Sequence, residues 1–63
     1  EQLQAALAMI KPGQRQIVVL RDYLDLSYAE IAAVLDVAPG TVMSRLHRAR
    51  LALKERLEQE NGE

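Results

Sequence analysis

The sequence has no cysteine, no phenylalanine and no tryptophan, and only one histidine and two tyrosines in 63 residues. Each shortage closes off a class of chemistry. Without cysteine there is neither a disulfide framework nor a thiolate metal site, which fits a reducing compartment. One histidine excludes a multi-histidine metal centre. Two tyrosines are too few aromatic faces for a platform that stacks the bases of a single strand. No apolar run approaches the roughly 18 residues of a membrane span, and no signal peptide is visible. The first residue is Glu1 rather than Met, as expected of a fragment or a processed chain. One histidine and scattered acids give no nucleophile–base pair, and the glycines form no phosphate-cradling loop. Neither an enzyme nor a cofactor is therefore expected.

What is present is a short chain with an uneven charge. Sixty-three residues make one domain, residues 1–63, with a core only a few side chains deep, since a chain of this size buries about 60% of its unfolded surface. The net charge of −1 argues at first against a nucleic-acid partner. Its distribution reverses that impression. Residues 1–38 hold three basic groups and five acids, whereas residues 39–63 hold five basic groups and four acids, all four at Glu55 or beyond. With a Debye length of about 8 Å at physiological salt, distant acids hardly cancel a local basic face.

The periodicity predicts four helices. Leu3, Leu7 and Ile10 recur at helical spacing over residues 1–10. Pro12-Gly13 stops that helix, and Pro12 suits the first position of the next, which runs to about Leu24 with a stripe of Ile17, Leu20 and Leu24 widened by Val18 or Val19. The β-branched run Ile17-Val18-Val19 also suits a strand, but the chain offers no second strand to pair with it. Ser27-Tyr28-Ala29-Glu30 matches a capping box and opens a helix over 27–35. Its expected buried face is Ile31, Val34 and Leu35, with Ala32 and Ala33 small enough to admit a neighbouring helix. After Asp36-Val37-Ala38, Pro39 starts a last helix to about Glu58, and Gln59 to Glu63 are expected to fray. A capped helix, a break of three to four residues with an apolar residue at its centre, and a second helix form the pattern of a helix-turn-helix.

The last helix has two faces. Val42, Leu46, Ala49, Leu53 and Leu57 line one side, and Met43, Ser44, His47, Arg48 and Leu51 the other, with Arg45, Arg50 and Arg56 towards the flanks. The apolar back needs a core; the basic front needs an anion. In helix-turn-helix proteins the amino-terminal part of the second helix reads base edges, which makes Thr41, Met43, Ser44, His47 and Arg48 the candidates. Arg48 can pair bidentately with guanine, Met43 can touch a thymine methyl, and Ser44 can donate to a base or a phosphate. Backbone N–H groups near Gly40 and Thr41 suit a phosphate. Tyr28, Arg50 and Lys54 are further candidates for phosphate, although Tyr28 is first a capping and packing residue. Arg45, Arg50 and Arg56 can equally pair with acids of the same domain. Three to five cations predict a salt slope of about −3 to −5, hence weak binding in isolation.

These residues resemble a known family. The segment from Leu26 to Arg50 is similar to region 4 of bacterial sigma factors, in particular the extracytoplasmic-function (ECF) group of the sigma-70 family, and Pro12-x-x-Arg15 also fits. The most specific part is Gly40-Thr41-Val42 followed by Ser44-Arg45-Leu46 and Arg48-Ala49-Arg50. The resemblance covers about residues 3–57. It implies an all-α, four-helix domain of the winged-helix-like, sigma-region-4 kind. That domain would read the −35 element of double-stranded promoter DNA and dock on the β flap of RNA polymerase in the bacterial cytoplasm. Gly40, Thr41, Met43, Ser44, Arg45, His47 and Arg48 would fall on the DNA-reading segment. An anti-sigma factor blocks these surfaces in many such proteins. Region 2, which melts the −10 element in the family, is absent from these residues. Four positions depart from the pattern: Lys11 replaces a frequent Leu, Asp36 a turn Gly, Ala38 a capping Ser, and Met43 a Lys or Arg. Two other readings fit the bare helix pattern: the DNA-binding domain of an ordinary response-regulator-type protein, acting as a dimer on two half-sites, and a module whose basic helix binds an acidic protein.

Overall fold

The structure, a computed structural model, describes the backbone of residues 2–61 and the side chains of residues 2–59. Its helices are α1 (Gln2–Met9), α2 (Pro12–Val18), α3 (Tyr28–Leu35) and α4 (Pro39–Asn61), and a π-helical turn (Val19–Tyr23) prolongs α2. No strand occurs among the described residues, so the helices stand without a β-wing.

Three shorter helices pack around the amino-terminal part of α4. Val42, Leu46 and Ala49 of α4 are buried against Leu7 and Ile10 from the α1 end, Ile17 and Val18 from α2, and Ile31 and Ala32 from α3. Ala6, Ala32 and Ala49 are all buried, and such small side chains let helix backbones approach closely. Leu53 and Leu57 continue the same stripe but are only half-buried. α4 outruns its support: a helix of 23 residues is about 34 Å long. The domain accordingly measures 40 × 18 × 15 Å. Helix α4 also continues to Asn61, past the end expected near Glu58; the fraying expected of Gly62 and Glu63 lies outside the described residues.

Two expected core residues are exposed. Leu24 is 59% accessible. The cause is the π turn, where the Leu24 N–H donates to the Val19 carbonyl at 3.0 Å, five residues back instead of four. The wider turn rotates Leu24 out of the α2 stripe, and Leu26 packs at the core's edge instead. Val34 is 58% accessible, while Ala32 takes its place inside. Helix α3 meets α4 on the face that carries the smaller side chain, so the two axes can lie close together.

The connections are held by named bonds. Arg15 reaches back from α2 and donates to the carbonyls of Leu7 and Ala8 at 3.5 and 3.4 Å, satisfying the end of α1, where intrahelical partners run out. Arg21 donates to the Leu26 carbonyl at 2.9 Å and to the Asp25 carboxylate at 3.3 Å. The capping box of α3 is complete: the Ser27 N–H donates to Glu30 Oε1 at 2.8 Å, and the Glu30 N–H to Ser27 Oγ at 3.0 Å. At the other end of α3, Asp36 is left-handed (φ 58°, ψ 50°), and the Val37 N–H donates to the Ala32 carbonyl at 3.0 Å. This is a Schellman-type ending. It turns the half-buried Val37 inward between α3 and α4, as the turn's apolar centre requires.

The left-handed conformation costs a non-glycine residue about 1–2 kcal/mol. Asp36→Gly is therefore expected to raise the stability of the chain by about 1 kcal/mol, and Asp36→Val to lower it by at least as much, both read as midpoint shifts in urea unfolding.

Candidate nucleic-acid interface

The burial of Val42, Leu46 and Ala49 fixes the rotation of α4 and so decides what it shows to solvent. Gly40, Met43, Ser44, Arg45, His47 and Arg48 are exposed, and Thr41 is half-buried. Six of the seven residues assigned to the reading segment thus stand outward from the start of one helix. Pro39 opens that helix, and the Ala38 carbonyl accepts from the N–H groups of Thr41 and Val42 at 3.0 and 3.3 Å. Ala38 has no side-chain oxygen to add a cap. The Ser44 hydroxyl lies 3.4 Å from the Gly40 carbonyl one turn back, a weak bond that a rotating hydroxyl can exchange for an outside partner. Met43 is 58% accessible and supplies apolar contact but no charge.

Basic residues divide into two sets. Arg15, Arg21, Arg50 and Arg56 each bond inside the domain. The side chains of Lys11, Arg45, Arg48 and Lys54 have no hydrogen-bond or ion-pair partner among the described residues. Arg50, a candidate for phosphate, instead donates to the Asp22 carboxylate at 2.5 Å and joins α4 to the π turn. Tyr28 lies under the Arg21 guanidinium, whose Cζ is 5.5 Å from the ring centroid, so the ring first serves to hold that arginine. Arg56 bonds Gln59 on its own helix. Arg45, Arg48 and Lys54, on the outward part of α4, pair with no acid among the described residues.

Asp22 raises the pKa of Arg50 above its ordinary value, mainly through the hydrogen bond; desolvation works against this, and the charge of Asp22 and the nearby Tyr28 add to it. A raised basic pKa stabilises the fold below the unfolded value and is lost only as pH rises through the folded one. For an arginine that window lies far above neutrality, so Arg50 adds no pH dependence near neutral pH.

Sequence reasoning did not place Lys11 and Gln14 near the candidate residues of α4. They come from the start of α2, yet they line a cleft with Arg45 and Arg48 of α4. Their approach depends on how α2 crosses α4, which no local motif reports. Among the described residues, no group of three or more His, Cys, Asp or Glu could hold a metal ion, and no helix is long and apolar enough to cross a membrane.

A helical domain in which a capped α3, a tight turn and an outward basic α4 follow one another belongs to the helix-turn-helix class, in which the second helix has the shape to enter a DNA major groove. Within that class, the model of the family "Sigma-70, region 4" matches residues 1–53, and the chain belongs to that family. It is 49% identical over 61 residues to the ECF RNA polymerase sigma factor SigE of Mycolicibacterium smegmatis, covering 97% of this chain and 24% of that protein. It is 46% identical over 55 residues to the RNA polymerase sigma-E factor of Streptomyces coelicolor, covering 87% and 31%. The RNA polymerase sigma factor YlaC of Bacillus subtilis is 39% identical over 57 residues, covering 90% and 33%. The chain thus spans about a quarter to a third of the length of these relatives. No solved structure matches it.

The Arg50–Asp22 pair is half exposed, with side-chain accessibilities of 50% and 38%. A double-mutant cycle of Arg50→Gln and Asp22→Asn is expected to give a coupling of about 0.2–1 kcal/mol that shrinks with added salt.

Proposed function

We propose that this chain is the promoter-reading part of an ECF sigma factor: it recognises the −35 element with α4 and docks on RNA polymerase so that transcription starts there. The observation that carries this is the sorting of cations on α4. Arg45, Arg48 and Lys54 are left without an internal partner, beside exposed Met43, Ser44 and His47, on a helix whose rotation is locked by its buried side. Arg48 pairs with a base, for which a guanine edge offers the best bidentate match. Arg45 and Lys54 neutralise phosphates; the Thr41 N–H, expected to be free, is taken by the Ala38 carbonyl, which leaves the N–H of Gly40 as the donor at the start of α4 that a phosphate can use. Gly40 leaves open space where a side chain would stand, so a phosphate can come close to the main chain.

Docking on the polymerase uses apolar surface away from that face. Leu24 and Val34, which the π turn and the close α3–α4 packing leave outside, are the residues best suited to it. An anti-sigma factor covering the same surfaces would hold the domain inactive, and the whole would act in the bacterial cytoplasm. With about four free cations, binding by the isolated chain is weak and has a salt slope of about −3 to −4. Polymerase holding the domain near the promoter compensates by raising its effective concentration.

The two arginines separate the roles. Arg48→Ala is expected to weaken binding to the preferred duplex by about 1–3 kcal/mol and to relax base preference at one position. Arg45→Ala should weaken all sequences alike and reduce the salt slope by about 0.9. Fluorescence titration of both variants against matched and scrambled duplexes over a range of salt reads both quantities. Wild-type behaviour in both would exclude α4 as the recognition helix.

A further inference from the structure

A cleft of about 320 Å³ lies between the start of α2 and the flank of α4. Its lining is Lys11, Gly13, Gln14 and Ile17 on one side and Arg45 and Arg48 on the other. Three of these six residues are cations and none is an acid. They are also three of the four basic residues that find no partner among the described residues, whereas Arg15, in the same α2, is spent on the carbonyls of α1. Like charges brought together by folding repel one another, and each loses less when a shared anion sits between them. Gln14 is half-buried at the edge, with amide hydrogens to donate, and the buried Ile17 forms an apolar floor. Nothing stands within 4 Å of where a Gly13 side chain would project, so the mouth is open.

We infer that this cleft seats one phosphate of the DNA backbone, held jointly by Lys11 and Arg45 with Gln14 and Arg48 beside it. The inference rests on the proposed function and extends it, because it brings α2 into the interface. The geometry selects the strand. Asp22 and Tyr28 lie towards the Arg50 flank of α4, whereas Arg45 lies on the opposite flank, with Arg48 between it and the outward front. With α4 in the groove, the π turn and α3 face one backbone and the Lys11 cleft faces the other. The domain then grips both walls of the groove. Lys11 occupies a position where the resembled sequences frequently carry Leu, so this added charge belongs to this chain and not to the common pattern.

The test uses the 63-residue chain at low salt with a duplex that it selects from a randomised pool, and the variant Lys11→Gln, whose exposed side chain leaves the core alone. Removing one phosphate contact should lower the salt slope by about 0.9, which is about eightfold in affinity at 0.1 M salt, with base preference unchanged. Replacing single phosphates by neutral methylphosphonates should reveal one position that weakens the wild type by a similar factor and weakens Lys11→Gln no further. If Lys11→Gln matches the wild type in affinity and slope while Arg48→Ala loses binding, the cleft assignment falls and the −35-reading function stands. If the wild type selects no sequence and Arg48→Ala changes nothing, the function itself falls, and the cleft with it. Pyrophosphate added alone identifies the remaining source. Micromolar binding at Lys11 and Arg45, seen in their NMR resonances without displacement of DNA, would give the cleft to a free phosphate ligand and overturn the assignment to the backbone.

Discussion

The burial of one narrow seam, Val42, Leu46 and Ala49, is the constraint on which the rest of this domain depends. Each shorter helix buries its own apolar side against α4, so the seam is the wall that α1, α2 and α3 share. Among the described residues there is one core cluster and no second layer to compensate for a fault there. The same burial determines function. Once those three side chains point inward, a helix with 3.6 residues per turn has no freedom left in what it points outward. The outward display of Met43, Ser44, His47 and Arg48 is thus a consequence of core packing one helix radius away.

Charge is arranged on the same principle of use. The arginines that bond internally hold the frame together: Arg15 closes the end of α1, Arg21 ties the loop before α3, and Arg50 links α4 to the π turn. The cations left over lie along α4 and beside it. A net charge of −1 conceals this entirely, because it counts spent and unspent cations alike.

Much of the architecture was legible in the residues. The capping box at Ser27 and Glu30, the turn around Val37 and the two faces of α4 are all local patterns, set by neighbours within four residues, and the structure contains each of them. What escaped was azimuth and distance. The stripe through Leu24 assumes an unbroken α-helix, and a single π turn cancels that assumption. Helix α3 has two plausible inner faces over eight residues, and choosing Ala32 over Val34 requires knowing how near α4 comes. The exposed residues of α4 could be named from spacing, but the nearness of Lys11 and Gln14 to Arg45 and Arg48 could not, since it arises from a crossing of helices more than thirty residues apart. The partnership of Arg50 with Asp22 was open for the same reason.

The length of α4 has a mechanical meaning. About half of its 23 residues lie beyond Ala49, where the stripe passes from buried to half-buried, and no glycine or proline interrupts it between Thr41 and Asn61. Bending a helix sharply requires such a residue or a broken i→i−4 bond. The far half is therefore a handle rigidly joined to the half that carries Met43 to Arg48, and whatever grips it turns those side chains with it as one body.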